Sequence, residues 1–596
     1  MKPGVTISQA DAELALIDQQ YEAAHPGMLD TDKTVARLWN RPPLHIVFLK
    51  NQLVSDIRSK LWMLFGAVGL VLLIVCANIA SLLLARATTR SRELAVRAAI
   101  GAGRGRIILQ LLIESLLLSL IGGGIGIVLA GVGVHVIRTM TALGLPRSSE
   151  IGIDGTVLLF AVTLSLFTGV LFGLAPSLSA SRPNLVAVLQ GSGEGTTLAG
   201  QKPGFLRLTS RSLLVVGEVG LSTVLLIGAA LLIQSLARVY RVDPGFQAFN
   251  LLTMSLTPSP VRYDTEQKRA AFYDALLERI DALPGVKGAA TTTALPLTPY
   301  PMAQVQVTGR AADRRPLAMI LSVSPQYFQV LTIPLKRGRD FSAHDDLQTL
   351  PVAIINDSMA RHFWPQYPNG PDPIGEHILI GSHSKPTEIV GIVADTRDYK
   401  LTEDPGLGVY LSSFQQPAHS AAIVIRTERD PLTFVHAVRS QILELDHDQP
   451  VSAVASMNEV VDASEGQLTV MMILLGIFAG AAAIIAVIGL YGVMAYSVTQ
   501  RAKEIGIRKA LGARRGNIFA LVVGHGLRLA AFGLLLGMCG AFALTRVLQG
   551  LLFEISPNDP TTYVAIALLF IAVTSIASYI PARRAACLDP LIMLRS

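Results

Sequence analysis

Four ionisable side chains stand inside or at the mouths of apolar runs: Glu114, Glu218, His525 and Arg528. A charge left unpaired in hydrocarbon costs at least a few kcal/mol, so these intramembrane polar candidates could serve a proton or substrate relay. The plainer alternative is that all four, within two turns of the polar end of their runs, reach the interface or one another. Other chemistry is sparse. His344 beside Asp345 and Asp346 is the only cluster with metal-ligand residue types, and without a second close pair of ligands it reads as a solvated loop, so no metal is expected. No nucleophile elbow, HExxH or paired-carboxylate signature is present. The string Gly101 to Arg106 lacks the lysine-serine/threonine end of a phosphate loop and follows a helical pattern rather than a strand. The chain is therefore expected to be no enzyme, to hydrolyse no ATP of its own and to hold no cofactor. Cys76, Cys539 and Cys587 are scattered and offer neither a disulfide framework nor a CxxC pair.

The most distinctive spacing is basic. Thr88 to Ile107 returns 411 residues later as Thr499 to Ile518, with ten of twenty positions identical, a density that marks an internal repeat. Each copy sets arginines seven apart, Arg90, Arg97 and Arg104 in the first and Arg501, Arg508 and Arg515 in the second, which places them on one helical face. Glu93 precedes Arg97 and Glu504 precedes Arg508 by four residues, the favourable order for an ion pair. Gly101 and Gly512 then let the chain turn. A short, basic, amphipathic helix with a glycine break is predicted in each copy. One copy alone would read equally well as a charged turn anchoring topology; retention of the glutamate and glycine in both favours a docking surface.

The elements that must position these stretches are apolar. Hydrophobic residues make up 51% of the 596, charged residues only 16%, and mean hydropathy is +0.48, so this is an integral membrane protein. Spans are predicted at about 62–84, 107–136, 157–178, 213–236, 470–498, 518–548 and 563–580, seven in all. The last three mirror the first three, with Asp559 answering Asp154 and Pro581 answering Pro176. Before them, residues 1–60 hold an amphipathic helix opened by Ser8, with Asp11 as a capping-box variant and Leu14, Ile17 and Tyr21 on one face. Between the fourth and fifth spans the composition is that of a soluble α/β domain. A helix carrying Phe272, Leu276 and Ile280 stops at Pro284-Gly285, and a second covers Pro431 to Asp446. Strand-like runs lie at 251–256, 352–355, 388–393 and 422–426.

Orientation follows from the short loops. Residues 85–106 hold six arginines and one acid, 499–516 hold six basic residues and one acid, and the intervening loops are balanced or acidic. The repeat stretches and the C-terminus are thus expected in the cytoplasm, with 238–465 and the N-terminal segment outside. The net charge of +7 is a topology signal and does not imply nucleic acid. Seven spans is an odd number for a duplicated protein, so a truncated N-terminus is expected.

Three spans following an RExxxRxAxGA stretch, a large outer domain and a PARRAACLDPLIMLR tail resemble ABC transporter permeases of the MacB/FtsX type, most closely the duplicated orphan permeases (ADOP) of Acidobacteria. The resemblance divides the chain into a remnant outer segment (1–60), a first FtsX-type permease domain (61–190) and a cytoplasmic connector (191–211). A fourth span (212–237), a MacB-like periplasmic core domain (238–465) and a second FtsX-type permease domain (470–596) follow. It implies a polytopic α-helical protein of the bacterial inner membrane with an α/β (α+β) extracytoplasmic domain. It further implies that Arg90, Glu93, Arg97 and Gly101, with Arg501, Glu504, Arg508 and Gly512, form coupling helices. These would dock a cytoplasmic ABC ATPase acting in trans and transmit its motion to the outer domain, in export or in mechanotransmission. The alternative class is an envelope signalling or scaffold protein regulating a periplasmic partner. A periplasmic adaptor or envelope protein, and membrane lipid, complete the expected partners.

Overall fold

The computed structural model describes residues 6–24, 49–89, 103–139, 152–180, 210–309, 315–381, 385–500, 502–511, 514–548, 550 and 552–587. The chain divides into two compact units, one built around Val239–Gln467 and the other around the long apolar helices.

In the helical unit, α2 (Leu49–Thr89), α3 (Arg104–Thr139), α4 (Gly155–Ala180) and α5 (Ser210–Val239) precede the outer domain in sequence. The first helix of the chain, α1 (Ile7–Ala24), begins one residue earlier than expected. Its cap is not Ser8 with Asp11: Gln9 Oε1 accepts from Thr6 N at 3.1 Å and Thr6 Oγ1 from Gln9 N at 3.4 Å, a reciprocal T-x-x-Q box. Six described helices are long and apolar enough to cross a membrane, with stretches at Leu61–Leu82, Ile108–Val136, Ser212–Val239, Leu468–Val498, Gly516–Arg546 and Pro560–Arg584. The remaining expected span, on α4, has a shorter apolar stretch, Gly155–Leu171.

Small residues set the helix contacts, as packing in lipid requires. On α3 and α4, Gly123 faces Ser165 and Gly169 faces Ser119. The span α5 is the most enclosed. It packs against the later helices α10 (Met457–Gln500), α12 (Arg515–Leu548) and α13 (Pro560–Cys587) through Val215, Val219, Ile227 and Leu231. Gly220 meets the backbone of Gly533 and Gly537 across the α5–α12 contact. On its other side α5 joins α2 and α10 through Ile74, Leu225, Leu232 and Ala482. The repeated aspartates are helix caps: Asp154 accepts from Val157 N at 2.8 Å to start α4, and Asp559 from Thr562 N at 3.1 Å to start α13.

The second unit has eleven strands among its described residues: β1 (Leu251–Leu256), β2 (Val286–Thr292), β3 (Met302–Val307), β4 (Leu317–Val323), β5 (Leu335–Gly338), β6 (Val352–Asn356), β7 (His377–Ile380), β8 (Thr387–Val393), β9 (Gly408–Ser412), β10 (Ala421–Thr427) and β11 (Val451–Ser456). Ten of them follow the order β11-β1-β10-β2-β4-β3-β7-β8-β6-β9, β5 pairs with β8 off this path, and the parallel pairing of β9 with β4 closes the last six of the ten into a ring. Two lobes result. The helices α6 (Glu266–Asp281) and α9 (Val435–Leu445) cover the β11-β1-β10-β2 face with Phe272, Leu276, Ile280, Val438 and Ile442. The ring is filled by Val305, Ile355, Ile378, Ile389 and Leu411, with Met359 and Trp364 from and beyond α8 (Asp357–Phe363). The lobes meet at the single register pair Thr292↔Val323, beside which the short helix α7 (Tyr327–Leu331) sits. The expected helix at 431–446 is a 3-10 turn, Pro431–Phe434, capped by Asp430, whose side chain accepts from Leu432 N, and it leads into α9.

Candidate functional site

The second copy of the basic repeat is a nine-residue helix, α11 (Ala502–Ala510), continued by a bond from Leu511 N to Ile507 O. One side is anchored: Ile505 is buried against Ile518 and partly buried Val498. The other side is open to water. Ile507 is 50% exposed, Leu511 is 81% exposed and Arg508 is exposed between them. Two bulky aliphatic side chains flanking an exposed guanidinium are costly to leave in solvent and suit an amphipathic protein surface. Next to the anchor, Met494, Ser497, Val498, Ile505, Leu521, Val522 and His525 line a small, partly open pocket.

Of the other coupling residues expected from the repeat, Arg90, Glu93, Arg97, Gly101, Arg501 and Gly512 lie outside the described residues. Glu504 lies on α11, with its side chain outside the described set. The intramembrane candidates are dispersed. Glu114 is half-buried on α3, His525 is half-buried on α12, and Arg528 is exposed on α12. Glu218 on α5 is 1% exposed.

In the β-rich unit, Asp345 of the His344-Asp345-Asp346 cluster is occupied by Arg339, which donates from both guanidinium nitrogens at 2.7 and 2.8 Å while Ser342 N donates at 2.8 Å. The Arg339 guanidinium holds that carboxyl below its ordinary range. Sequence reasoning passed over a second feature, where the two lobes meet. Asp398, on the loop after β8, is buried, its Oδ1 accepts from Thr396 Oγ1 at 2.6 Å, and its Oδ2 has no hydrogen-bond partner among the described residues. Leu295, Pro296, Tyr300, Met319, Tyr327 and Tyr410 surround it, and burial pushes its carboxyl up to about 7. The short D-T-R-D run, residues 395–398, was its only local signal. Also unforeseen is Arg426 of β10, whose guanidinium donates to the carbonyls of Val330, Phe249 and Gln247 at 2.6, 3.1 and 3.0 Å. It ties down the segment that follows α5.

Comparison with known proteins adds the following. The FtsX-like permease C-terminal family matches residues 65–185 and again 476–590, and the MacB-like periplasmic core domain family matches 157–441. Among curated relatives, the macrolide export ATP-binding/permease protein MacB of Azoarcus sp. is 26% identical over 50% of this chain and 46% of its own length. The uncharacterized ABC transporter permease YknZ of Bacillus subtilis is 28% identical over 47% of this chain and 70% of its own. The chain thus spans less than half the length of the MacB relative. A crystal structure of the periplasmic region of MacB from Actinobacillus actinomycetemcomitans aligns over 37% of this chain and 94% of its own at 13% identity, with a TM-score of 0.26. The chain is thus a multi-pass membrane protein homologous to MacB and YknZ, in which two FtsX-like permease regions accompany a MacB-like periplasmic core domain.

Proposed function

We propose that this chain is the permease subunit of an ABC-type export or mechanotransmission system, coupling a cytoplasmic ATPase supplied in trans to motion of the domain at 238–465. The observation that carries the reading is α11, pinned on one side by Ile505 and offering Ile507, Arg508 and Leu511 on the other. A rigid short helix with an exposed apolar-basic surface is what a motor protein needs in order to push on a membrane domain. The repeat at 88–107 supplies the second such element, so that one chain presents two docking helices, Arg90, Glu93, Arg97 and Gly101 in one copy and Arg501, Glu504, Arg508 and Gly512 in the other. Seven spans with a cytoplasmic C-terminus put both copies on one side of the bilayer in this reading. The names of the relatives support it, since one is an ATP-binding/permease protein and the other an ABC transporter permease. These 596 residues carry no GxxxxGK[ST] loop, and the reading accordingly places ATP hydrolysis outside them, on a partner acting in trans.

The test is capture and then stimulation. A photo-crosslinking amino acid at position 511, in membranes of the native host, is expected to trap an ABC ATPase subunit, and Arg508→Glu to reduce the yield. The double change Glu93→Lys with Glu504→Lys is expected to abolish stimulation of that ATPase while membrane insertion is unchanged. Recovery of no ATPase, or full stimulation by the double variant, would count against docking.

A further inference from the structure

The carboxyl of Glu218 has no role in ATPase docking, yet three helices are built around it. It projects from α5 onto Gly489 of α10, where a Cβ would lie 2.7 Å from Oε1 and 2.8 Å from Cδ, so the carboxyl occupies the space that a side chain at 489 would fill. On the same turn of α10, Asn78 of α2 donates from Nδ2 to the carbonyl of Ile485 at 3.0 Å. One turn on from Glu218, Ser222 Oγ donates to the carbonyl of Ala482 at 3.3 Å. Glu218 Oε1 and Asn78 Oδ1 are both buried without a hydrogen-bond partner among the described residues.

Among the described residues nothing supplies a counter-charge. The apolar stretch of α10 carries no Asp, Glu, Lys or Arg, and its Tyr491 and Tyr496 are the titratable groups nearest Gly489 in register. On α2 the neighbour of Asn78 is the buried thiol of Cys76. On α12 the titratable groups are Arg515 and Arg546 at its two ends and, between them, His525, which lines the pocket beside Ile505, exposed Arg528 and the exposed thiol of Cys539. Those of the apolar stretch of α13 are Tyr563 and Tyr579, with Arg583 and Arg584 at its end. No ion pair or hydrogen bond joins any of these to Glu218 among the described residues. An ionised carboxylate sealed among apolar helices with no partner costs several kcal/mol, whereas the neutral acid costs far less. A proton is also the one ligand that needs no extra space in so close a packing.

We propose that Glu218 is an intramembrane proton-binding site at the junction of the two repeats. It stays protonated while spans α2, α5 and α10 are packed, and it gives up its proton when they part and admit water. Opening of the bundle is then linked to release of one proton, and closure to uptake of one. At a rise of about 1.5 Å per residue, Glu218 lies roughly 9 Å along the helix from Ser212, so a modest separation would connect it to water at that end.

The experiment uses the full-length chain in proteoliposomes treated with dicyclohexylcarbodiimide, a hydrophobic reagent that modifies protonated carboxyls, with the adduct mapped by mass spectrometry. Modification of Glu218 is expected to be at least roughly tenfold faster near pH 6 than near pH 9.5, and absent in Glu218→Gln. Equal modification at both pH values, or none near pH 6, would overturn the proposal. A second measurement does not depend on the reagent. Thermal stability of the detergent-solubilised chain is expected to fall from near pH 6 to near pH 9, and Glu218→Gln, which mimics the protonated acid, to lessen that fall. A fall in Glu218→Gln as steep as in the parent chain would overturn the proposal as well. Neither readout involves an ATPase, so their failure and failure of the docking reading are separable.

Discussion

Asn78 donates its Nδ2 proton to the backbone carbonyl of Ile485 at 3.0 Å, and the two residues belong to opposite copies of the internal repeat. At the repeat offset of 411, the counterpart of Asn78 is Gly489 and that of Ile485 is Ile74, which is itself fully buried. The duplicated helices α2 and α10 therefore pack on each other, with polar side chains where one copy carries Asn and the other Gly. This contact joins the helix that leads into the first basic repeat to the helix that leads into the second.

Glycine governs the α5–α12 contact. A Cβ at Gly537 would lie 2.6 Å from both the Gly220 carbonyl and Thr223 Cβ, and the backbone side of that clash cannot rotate away. Gly537→Val is expected to destabilise the bundle by about 1–3 kcal/mol or more, read as a lowered melting temperature in detergent. Gly124→Ala, on α3 with nothing within 4 Å of the added carbon, should be nearly silent.

Asp398 gives the β-rich unit a pH dependence of definite sign. Burial raises its carboxyl from an ordinary value of 3.8 to about 7. Between those values the folded chain keeps a proton that the unfolded chain has lost, so stability falls as pH rises from about 4 to about 7 and then levels off. The full effect is on the order of 4 kcal/mol at 1.36 kcal/mol per unit. Asp398→Asn removes this slope and is expected to be more stable than the parent near pH 8, as measured by hydrogen exchange of residues 395–410 in the full chain.

Arg426 holds three carbonyls with one planar guanidinium. Arg426→Ala should cost about 1–3 kcal/mol locally, because acceptors are left without their donor. Arg426→Lys should rescue little, since an ammonium on a flexible stem cannot span the same fork. Faster amide exchange across residues 245–250 in both variants is the expected readout; protection equal to the parent's would show that the strap is held by other contacts.

Much of this architecture was legible because its signals are local or repeated. The apolar runs marked the long helices, and β1, β6, β8 and β10 stood out because their buried positions run almost without interruption. Strand β5, Leu335-Lys336-Arg337-Gly338, is exposed at every position, and β11 alternates weakly, so neither has a hydrophobic pattern to read. Closure of the ring depends on β9 pairing in parallel with β4, a contact between segments about ninety residues apart that no window of sequence contains. The sites divide in the same way. The seven-residue arginine spacing and its copy led to α11, whereas Asp398 becomes a buried acid only when the 293–300 loop, α7 and β9 converge on it. The glycine that seats Glu218 lies 271 positions away, so the acid could be flagged but its partner could not.

The central claim is that both basic repeat stretches lie in the cytoplasm while the MacB-like domain faces outward. The direct measurement replaces Cys76, Cys539 and Cys587, places single cysteines at Arg97, Arg508, Asp346 and Leu432, and labels intact cells with a membrane-impermeant maleimide. The account predicts labelling at 346 and 432 in intact cells, and at 97 and 508 only after the inner membrane is permeabilised. Labelling of either 97 or 508 from outside would contradict it.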